Sequence, residues 1–160
     1  MQPRLWRTEE SLPVKRYLME YLALCQRRDA LTAELERLRA ATLSATARLD
    51  PARVQTSRNP SSGEDALIRV VDGEARLQEI ITHIGDALAA RLCLLEALPD
   101  ERQKTILTLR YIRGIAWEKI GYAMHYERTQ VFEIHNQALR AAQVVLDGLA
   151  EPREGTYSSL

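Results

Sequence analysis

Two long stretches built for helix constrain the fold of this chain more than any other feature. Residues 13–49 contain no Gly and no internal Pro, and they are rich in Leu, Ala, Glu and Arg, which are strong helix formers. Apolar residues recur there by alternating steps of three and four, the heptad pattern of a helix that packs against another helix. The seam consists of Tyr21, Leu24, Leu31, Leu35, Leu38, Ala45 and Leu49. This pattern predicts one helix at about 13–49.

A second apolar seam of similar length predicts a second helix at about 64–97. Its residues are Leu67, Val70, Leu77, Ile81, Ile84, Leu88, Leu95 and Leu98. Gly73 and Gly85 are expected to weaken this helix, each by up to about 1 kcal/mol relative to Ala. The turn-forming residues between the two seams predict a connector at 50–63. We therefore expect residues 1–97 to form a long antiparallel helical hairpin.

Such a slender hairpin buries little surface for its length. Further apolar residues lie beside the two seams, namely Leu18, Leu22, Val71, Ile80 and Leu94. An additional partner helix would cover them. We therefore expect residues 1–97 to mediate self-association, most simply as a homodimer or otherwise as a higher homo-oligomer.

Residues 98–149 predict three shorter helices and complete an all-α fold. Pro99 suits the first turn of a helix, where a missing N–H costs nothing, and Gly114 can adopt the left-handed conformation that ends one. A second helix is predicted at 116–124. Its buried face consists of Trp117, Ile120 and Met124.

The third of these helices begins near Arg128 and has two different faces. Its apolar positions are Val131, Ile134, Ala138 and Leu139. Its opposite face carries Arg128, Thr129, Gln130, Glu133 and Asn136. A helix-turn-helix unit needs small and apolar side chains where its helices touch, as at Gly121, and polar ones where one helix enters a major groove. Both needs are met, although spacing alone also fits three amphipathic helices of an ordinary bundle.

The segment that starts at Leu98 resembles region four of bacterial sigma factors. The matching residues are Leu98-Pro99, Leu109-Arg110-Tyr111, Glu118-Lys119-Ile120-Gly121, Arg128 to Ile134 and Ala138-Leu139. More closely, the whole chain looks like the phage and prophage transcriptional regulators of the RinA and ArpU kind. The residues that carry this second resemblance are Tyr111-Ile112, Trp117-Glu118, Ile120-Gly121, Tyr126, Ile134-His135 and Ala138-Leu139. The chain departs from that family at Glu127, where Ser is usual, and at His125, where Gly is common.

The resemblance implies a sequence-specific DNA-binding transcriptional regulator of phage or prophage type, an activator of late or packaging genes. Double-stranded DNA is then the expected partner, and host RNA polymerase is a further candidate. In a helix-turn-helix unit, Arg128 would suit guanine and Glu133 would suit cytosine, while Phe132 would touch a thymine methyl group. Lys119 and Arg113 would suit phosphates. The predicted DNA-binding residues are Arg128, Thr129, Gln130, Glu133, Lys119, Arg113, Phe132 and Asn136.

Two other functions fit the same features. A small terminase subunit also joins a helix-turn-helix unit to oligomerising helices, and a ring of eight or more copies would favour it. A helical protein-protein adaptor would use the three-helix unit as a partner surface, and failure to bind duplex DNA would favour it. An enzyme is not expected, since the sequence has no phosphate-cradling Gly-rich loop and no recognisable catalytic pairing.

The overall charge argues against non-specific attraction to nucleic acid. The 160 residues contain 22 Lys or Arg and 22 Asp or Glu, so the formal net charge is zero. Many DNA-binding domains are strongly basic. DNA binding must therefore rest on where individual cations lie. The cations in question are Lys119, Arg128, Arg113 and Arg140.

Other features predict a cytoplasmic protein without cofactors, acting on DNA in a bacterial host cell. No apolar run has the length that crosses a membrane, and the N-terminus lacks the apolar core of a signal peptide. Cys25 and Cys93 lack metal-ligand spacing and are expected to be small buried residues. The three His residues are scattered, so no metal site is predicted. The tail at 150–160 is expected to be disordered.

Overall fold

The protein is helical, apart from short turns between the helices, in the part of the chain that its computed structural model describes, residues 12–47 and 61–150. No strand occurs in those two ranges, so the all-α prediction is confirmed. Most of the predicted connector at 50–63 and nearly all of the predicted tail at 150–160 lie outside the described residues. None of the described helices combines the length and the apolar composition that crossing a membrane requires.

Five α-helices follow one another along the described chain. They are α1 (Pro13–Ala47), α2 (Ser61–Glu96), α3 (Glu101–Leu107), α4 (Trp117–Met124) and α5 (Arg128–Ala150). Because α2 begins at Ser61, the polar residues 61–63 belong to this helix and not to the connector. α3 continues into a wider π-helical turn at Thr108–Ile112, in which the Arg113 N–H donates to the Thr108 carbonyl at 3.0 Å.

The ends of α3 follow the sequence closely. Asp100 caps its N-terminus, because the carboxylate accepts the Arg102 backbone N–H at 2.8 Å. Hydrogen bonds from the Arg102 side chain and backbone lower the pKa of Asp100 below its usual value. Beyond the π-helical turn, Gly114 has a φ of 66°, the left-handed conformation predicted for it.

The described chain forms two compact units. The first comprises residues 12–22 and 87–150, and the second comprises residues 23–47 and 61–86. The sequence pattern predicts a boundary between residues 97 and 98 instead. In the structure, the first turns of α1 and the last turns of α2 belong with the C-terminal helices.

The core of the first unit draws on all five helices. Its buried apolar residues are Val14, Leu18, Leu94, Leu95, Leu98, Ile106, Leu107, Tyr111, Ile120, Val131, Ala138, Leu139 and Ala142. Leu18 and Leu94 were expected to need a partner helix to cover them. That expectation is wrong, because both side chains are almost fully buried within their own chain in this core. These two residues therefore give no reason to expect self-association.

A buried arginine joins α2 to the first turns of α1 in this unit. Arg91 is only 4% exposed, and its Nε and Nη1 atoms donate at 3.0 Å to the carbonyls of Tyr17 and Ala87 respectively. Its guanidinium lies 4.1 Å from the centre of the Tyr17 ring and 3.8 Å from a Glu20 carboxylate oxygen. A buried charge is tolerated only when it is paired and hydrogen-bonded in this way. Arg91 therefore holds α1 against α2.

In the second unit, α1 and α2 approach each other closely at Gly73. A Cβ built on Gly73 would lie 2.5 Å from Leu35 Cδ2, so Leu35 occupies the space that a side chain would fill. Beside this contact, Arg39 Nη2 and Glu74 Oε1 form an ion pair at 2.5 Å. Gly73 was expected only to weaken α2, but it also lets Leu35 pack against the helix backbone.

The two cysteines differ in their surroundings. Cys25 is half-buried and Cys93 is exposed. The prediction that both are buried is therefore wrong for Cys93, which lies on the outer side of α2 next to the buried Leu94. No group of three or more His, Cys, Asp or Glu side chains that could hold a metal ion occurs in the described part of the chain.

Candidate nucleic-acid interface

A tight turn at 125–127 joins α4 to α5. His125 ends α4 in the left-handed conformation, with φ 56° and ψ 39°, and its N–H donates to the carbonyls of Gly121 and Tyr122. The Tyr126 N–H donates to the Gly121 carbonyl at 3.0 Å. The residue with this geometry after a helix is most often Gly. His125 therefore adopts a conformation that a Gly would adopt without steric cost.

Gly121 lies where this turn and α5 come closest to α4. A Cβ built on Gly121 would lie 3.1 Å from the Tyr126 carbonyl oxygen and 3.7 Å from Val131 Cγ2. The prediction that Gly121 permits a close approach is confirmed. The group that approaches it most closely is the backbone of the turn, and a side chain of α5 is the next nearest.

An aromatic cluster holds the inner side of α5 against the preceding helices. The Trp117 ring lies 4.9 Å from the Phe132 ring and meets the His135 ring edge-on at 4.7 Å, both measured between ring centres. The Arg110 guanidinium lies 4.8 Å from the centre of the Trp117 ring and donates to the Ile115 carbonyl at 3.1 Å. These contacts set how far α5 can turn about its own axis.

A buried polar pair lies deeper in the same region. The Tyr111 hydroxyl is 2.9 Å from His135 Nε2, and His135 Nδ1 is 3.3 Å from Asn136 Oδ1. Burial lowers the pKa of His135 to about 4 and raises that of Tyr111 to about 12. Neutral His135 carries a single N–H, and the Asn136 oxygen can only accept, so Nδ1 donates to Asn136. Nε2 then accepts the Tyr111 O–H.

Most of the predicted DNA-binding residues reach solvent from α4, from α5 or from the end of the π-helical turn. The exposed ones are Arg113, Lys119, Arg128, Thr129, Gln130 and Glu133. Phe132 and Asn136 are half-buried. Arg128 lies close to Phe132, with its Cζ atom 5.7 Å from the ring centre. The outer side of the first turns of α5 is therefore accessible.

Three of these residues also have local structural contacts. Gln130 Oε1 accepts the Glu127 backbone N–H at 3.2 Å, which satisfies an N–H that the start of α5 would otherwise leave unpaired. Phe132 packs on Trp117, and Asn136 accepts a hydrogen bond from His135. Arg128, Thr129 and Glu133 are the better candidates for contacting a ligand, since none of them closes the turn or packs in the centre of the aromatic cluster.

The exposed face of α5 extends further than the predicted set. Thr129, Glu133, Gln137 and Arg140 are exposed and follow one another at steps of four, four and three residues. Gln137 is absent from the predicted set, although its spacing from Glu133 is visible in the sequence. Beside the start of this face is a shallow cavity of about 130 Å³. It is lined by Trp117, Glu118, Gly121, Tyr122, Tyr126 and Arg128.

Ion pairs divide the cations of this region into two groups. Arg102 pairs with Asp100 at 3.0 Å, and Lys104 pairs with Glu101 at 2.8 Å. Arg113, Lys119 and Arg128 form no ion pair with any other described residue. These three cations are thus available to an anionic ligand.

Comparisons of this chain with protein-family models, with curated proteins and with solved structures gave no match.

Proposed function

We propose that α3, α4 and α5 form a helix-turn-helix unit that binds double-stranded DNA with α5 in the major groove. The protein would act as a sequence-specific transcriptional regulator of the phage and prophage type that its sequence resembles. One observation carries this proposal: the outer side of the first turns of α5 is exposed while its inner side is packed against Trp117 and the core. Burial of Arg128 and Glu133 would have excluded it.

The connection between α4 and α5 supports the same proposal. Helix-turn-helix units join their two helices by a turn of three to four residues that often contains Gly. Here the turn spans 125–127, and His125 has the left-handed backbone conformation of such a glycine. Gly121 allows the close packing that this turn requires.

The exposed residues divide by the contact that each would make. Arg128 and Thr129 lie in the first turn of α5, the part of a recognition helix that reaches base edges. Arg128 would donate paired hydrogen bonds to guanine, and Glu133 would accept one from cytosine. Lys119 and Arg113 would contact phosphates, which position a protein without reading sequence. Since the chain has no net charge, these few contacts would supply most of the affinity.

The proposal is tested by selecting duplexes bound by the full chain from random and from phage genomic DNA. The selection is then repeated with Arg128→Ala. We expect the wild-type protein to enrich a defined sequence. Arg128→Ala should no longer discriminate at one or two base pairs, at a cost of about 1–3 kcal/mol for each of them, and should keep salt-sensitive residual binding.

A matched control is Arg76→Ala, which removes an exposed helical arginine from α2 in the second unit. It should leave the selected sequence unchanged. No enrichment of any duplex by the wild-type chain at low salt would refute the proposal. An unchanged preference in Arg128→Ala would remove Arg128 from the reading set.

A protein-protein adaptor is the second candidate, and two exposed apolar side chains favour it. Tyr122 on α4 is 86% exposed and Val144 on α5 is 73% exposed. Tyr is enriched in protein–protein interfaces, and a bound partner would remove both side chains from water. The adaptor predicts no binding to duplex DNA at low salt, so the selection experiment separates the two functions. Contact with host RNA polymerase is compatible with either.

A further inference from the structure

The second unit leaves much of its apolar surface exposed. Among residues 23–44 and 63–86, whose burial the structure describes, only Leu35 and Gly73 are buried. In α2, Leu67 is 57% exposed, Val71 is 63% exposed and Ile81 is 45% exposed. Two helices that pack against each other along one seam bury little apolar surface, so they gain little stability from it. A further helix against α2 would remove this surface from water.

These three exposed apolar residues lie along one side of α2. At about 100° per residue, Leu67, Val71, Gln78 and Ile81 fall within an arc of about 80°. Glu74 lies in the same arc, and its charge is offset by the ion pair with Arg39. The charged side of α2 lies elsewhere on the helix. Its residues are Asp65, Arg69, Asp72, Arg76, Glu79 and His83.

We propose that two copies of the chain, related by a two-fold axis, contact each other through this arc. We call it the α2 face, and it consists of Leu67, Val71, Glu74, Gln78 and Ile81. The order of residues along the α2 face fits a second copy of the same helix. If two α2 helices cross antiparallel with Glu74 at the axis, Leu67 of one copy meets Ile81 of the other, and Val71 lies beside Gln78.

The charges agree with this symmetric pairing. The axis brings together two carboxylates, but each Glu74 carries its own Arg39, so two neutralised ion pairs meet there. The acidic and basic residues of the charged side stay outside the contact. A helix from an unrelated protein would not require the α2 face to be self-complementary, whereas a second copy does.

The first test is sedimentation of the full chain at about 1–100 μM without DNA, so that its result does not depend on the proposed function. We expect a dimer. Val71→Lys should weaken self-association at least tenfold while helical circular dichroism is retained, because it places a charge in the contact. Asp72→Lys, the matched control on the charged side, should remain a dimer.

Cross-linking tests which surface is used. In a Cys25→Ala and Cys93→Ala background, Glu74→Cys should form a disulfide-linked dimer, since residues at a two-fold axis come within disulfide reach. Asp72→Cys should not. A wild-type monomer throughout the concentration range, or a dimer that Val71→Lys leaves intact, would overturn the proposal. So would a monomeric Val71→Cys variant, in the same background, whose thiol is shielded from reagents, because another segment of the same chain would then cover the α2 face.

Discussion

The Tyr111 hydroxyl donates a hydrogen bond to His135 Nε2 over 2.9 Å in the interior of the protein, and this bond joins the π-helical turn after α3 to the inner side of α5. Both side chains are buried. The pair fixes which side of α5 faces the core. It therefore also fixes which side faces outward with Thr129 and Glu133.

Removing the Tyr111 hydroxyl should destabilise the protein. In Tyr111→Phe, His135 Nε2 would stay buried without a donor, and an unsatisfied buried acceptor costs about 1–3 kcal/mol. Urea unfolding followed by circular dichroism measures the decrease in stability. Tyr122→Phe, which removes the hydroxyl of a side chain that is 86% exposed, is the control and should change stability by less than about 0.5 kcal/mol. Equal effects of the two changes would contradict the assignment.

The stability of the protein should fall as the solution is acidified from pH 6.5 to about 4. Burial lowers the pKa of His135 from 6.5 to about 4, so in that window the unfolded chain binds a proton that the folded chain does not. This contribution is fully present above pH 6.5 and amounts to about 3 kcal/mol. His135→Gln should flatten this part of the curve of unfolding free energy against pH. A slope in His135→Gln as steep as that of the wild type would show that other groups cause it.

Two glycine substitutions should have opposite signs. Gly121→Ala places a methyl group 3.1 Å from the Tyr126 carbonyl oxygen, so the turn must shift, at a cost of about 1–3 kcal/mol. Gly85→Ala meets nothing within 4 Å and should stabilise α2 by about 0.5–1 kcal/mol. Melting temperatures of the two variants decide the matter. If Gly121→Ala is instead more stable than the wild type, the turn can shift at little cost and the prediction is wrong.

Replacing His125 by Gly should stabilise the protein. His125 has a φ of 56°, and a residue with a side chain pays about 1 kcal/mol for that conformation while Gly does not. His83→Gly, at an exposed His in the middle of α2, should instead destabilise by about 0.3–0.5 kcal/mol. Chemical denaturation of both variants gives the comparison. If both variants are less stable than the wild type, the His125 side chain must make a compensating contact.

Lys119→Ala should weaken DNA binding by a similar factor for every sequence. A phosphate contact releases counterions, so its removal lowers the slope of log affinity against log salt by about 0.9. Fluorescence anisotropy at several salt concentrations, with the selected duplex and a scrambled one, measures both quantities. Arg113→Ala should have the same effects on the affinity and on the salt dependence. A change confined to the selected duplex would instead make Lys119 a base-reading residue.

The elements that local sequence specifies were predictable. The absence of breakers in 13–49 and the helical spacing in 64–97 were enough to predict α1 and α2, and the observed helices start at Pro13 and Ser61. The left-handed turn at Gly114 and the close approach at Gly121 were predictable as well, because Gly tolerates a positive φ and leaves space where a Cβ would collide. The exposure of Arg128, Thr129 and Glu133 followed from the apolar positions on the opposite side of α5.

The spacing of apolar residues could not predict which helix packs against each apolar helix face. The spacing of Leu18 and Leu94 shows that they need cover but does not say which helices provide it. Arg91 has no distinguishing signal, because a lone Arg in a helical pattern looks like a surface residue. Gln130 has the position of a DNA-reading side chain, yet it also accepts the Glu127 N–H.

The sequence by itself determined that this is a helical protein, where its helices run, and which side of α5 is polar, because those properties depend on residues a few positions apart. Only the tertiary structure decided that the first turns of α1 join the C-terminal helices, that Arg91 is buried against Tyr17, and that Tyr111 donates to His135. The last two contacts join residues that are 74 and 24 positions apart. Their energies depend on burial and geometry, which arise only when the helices pack together.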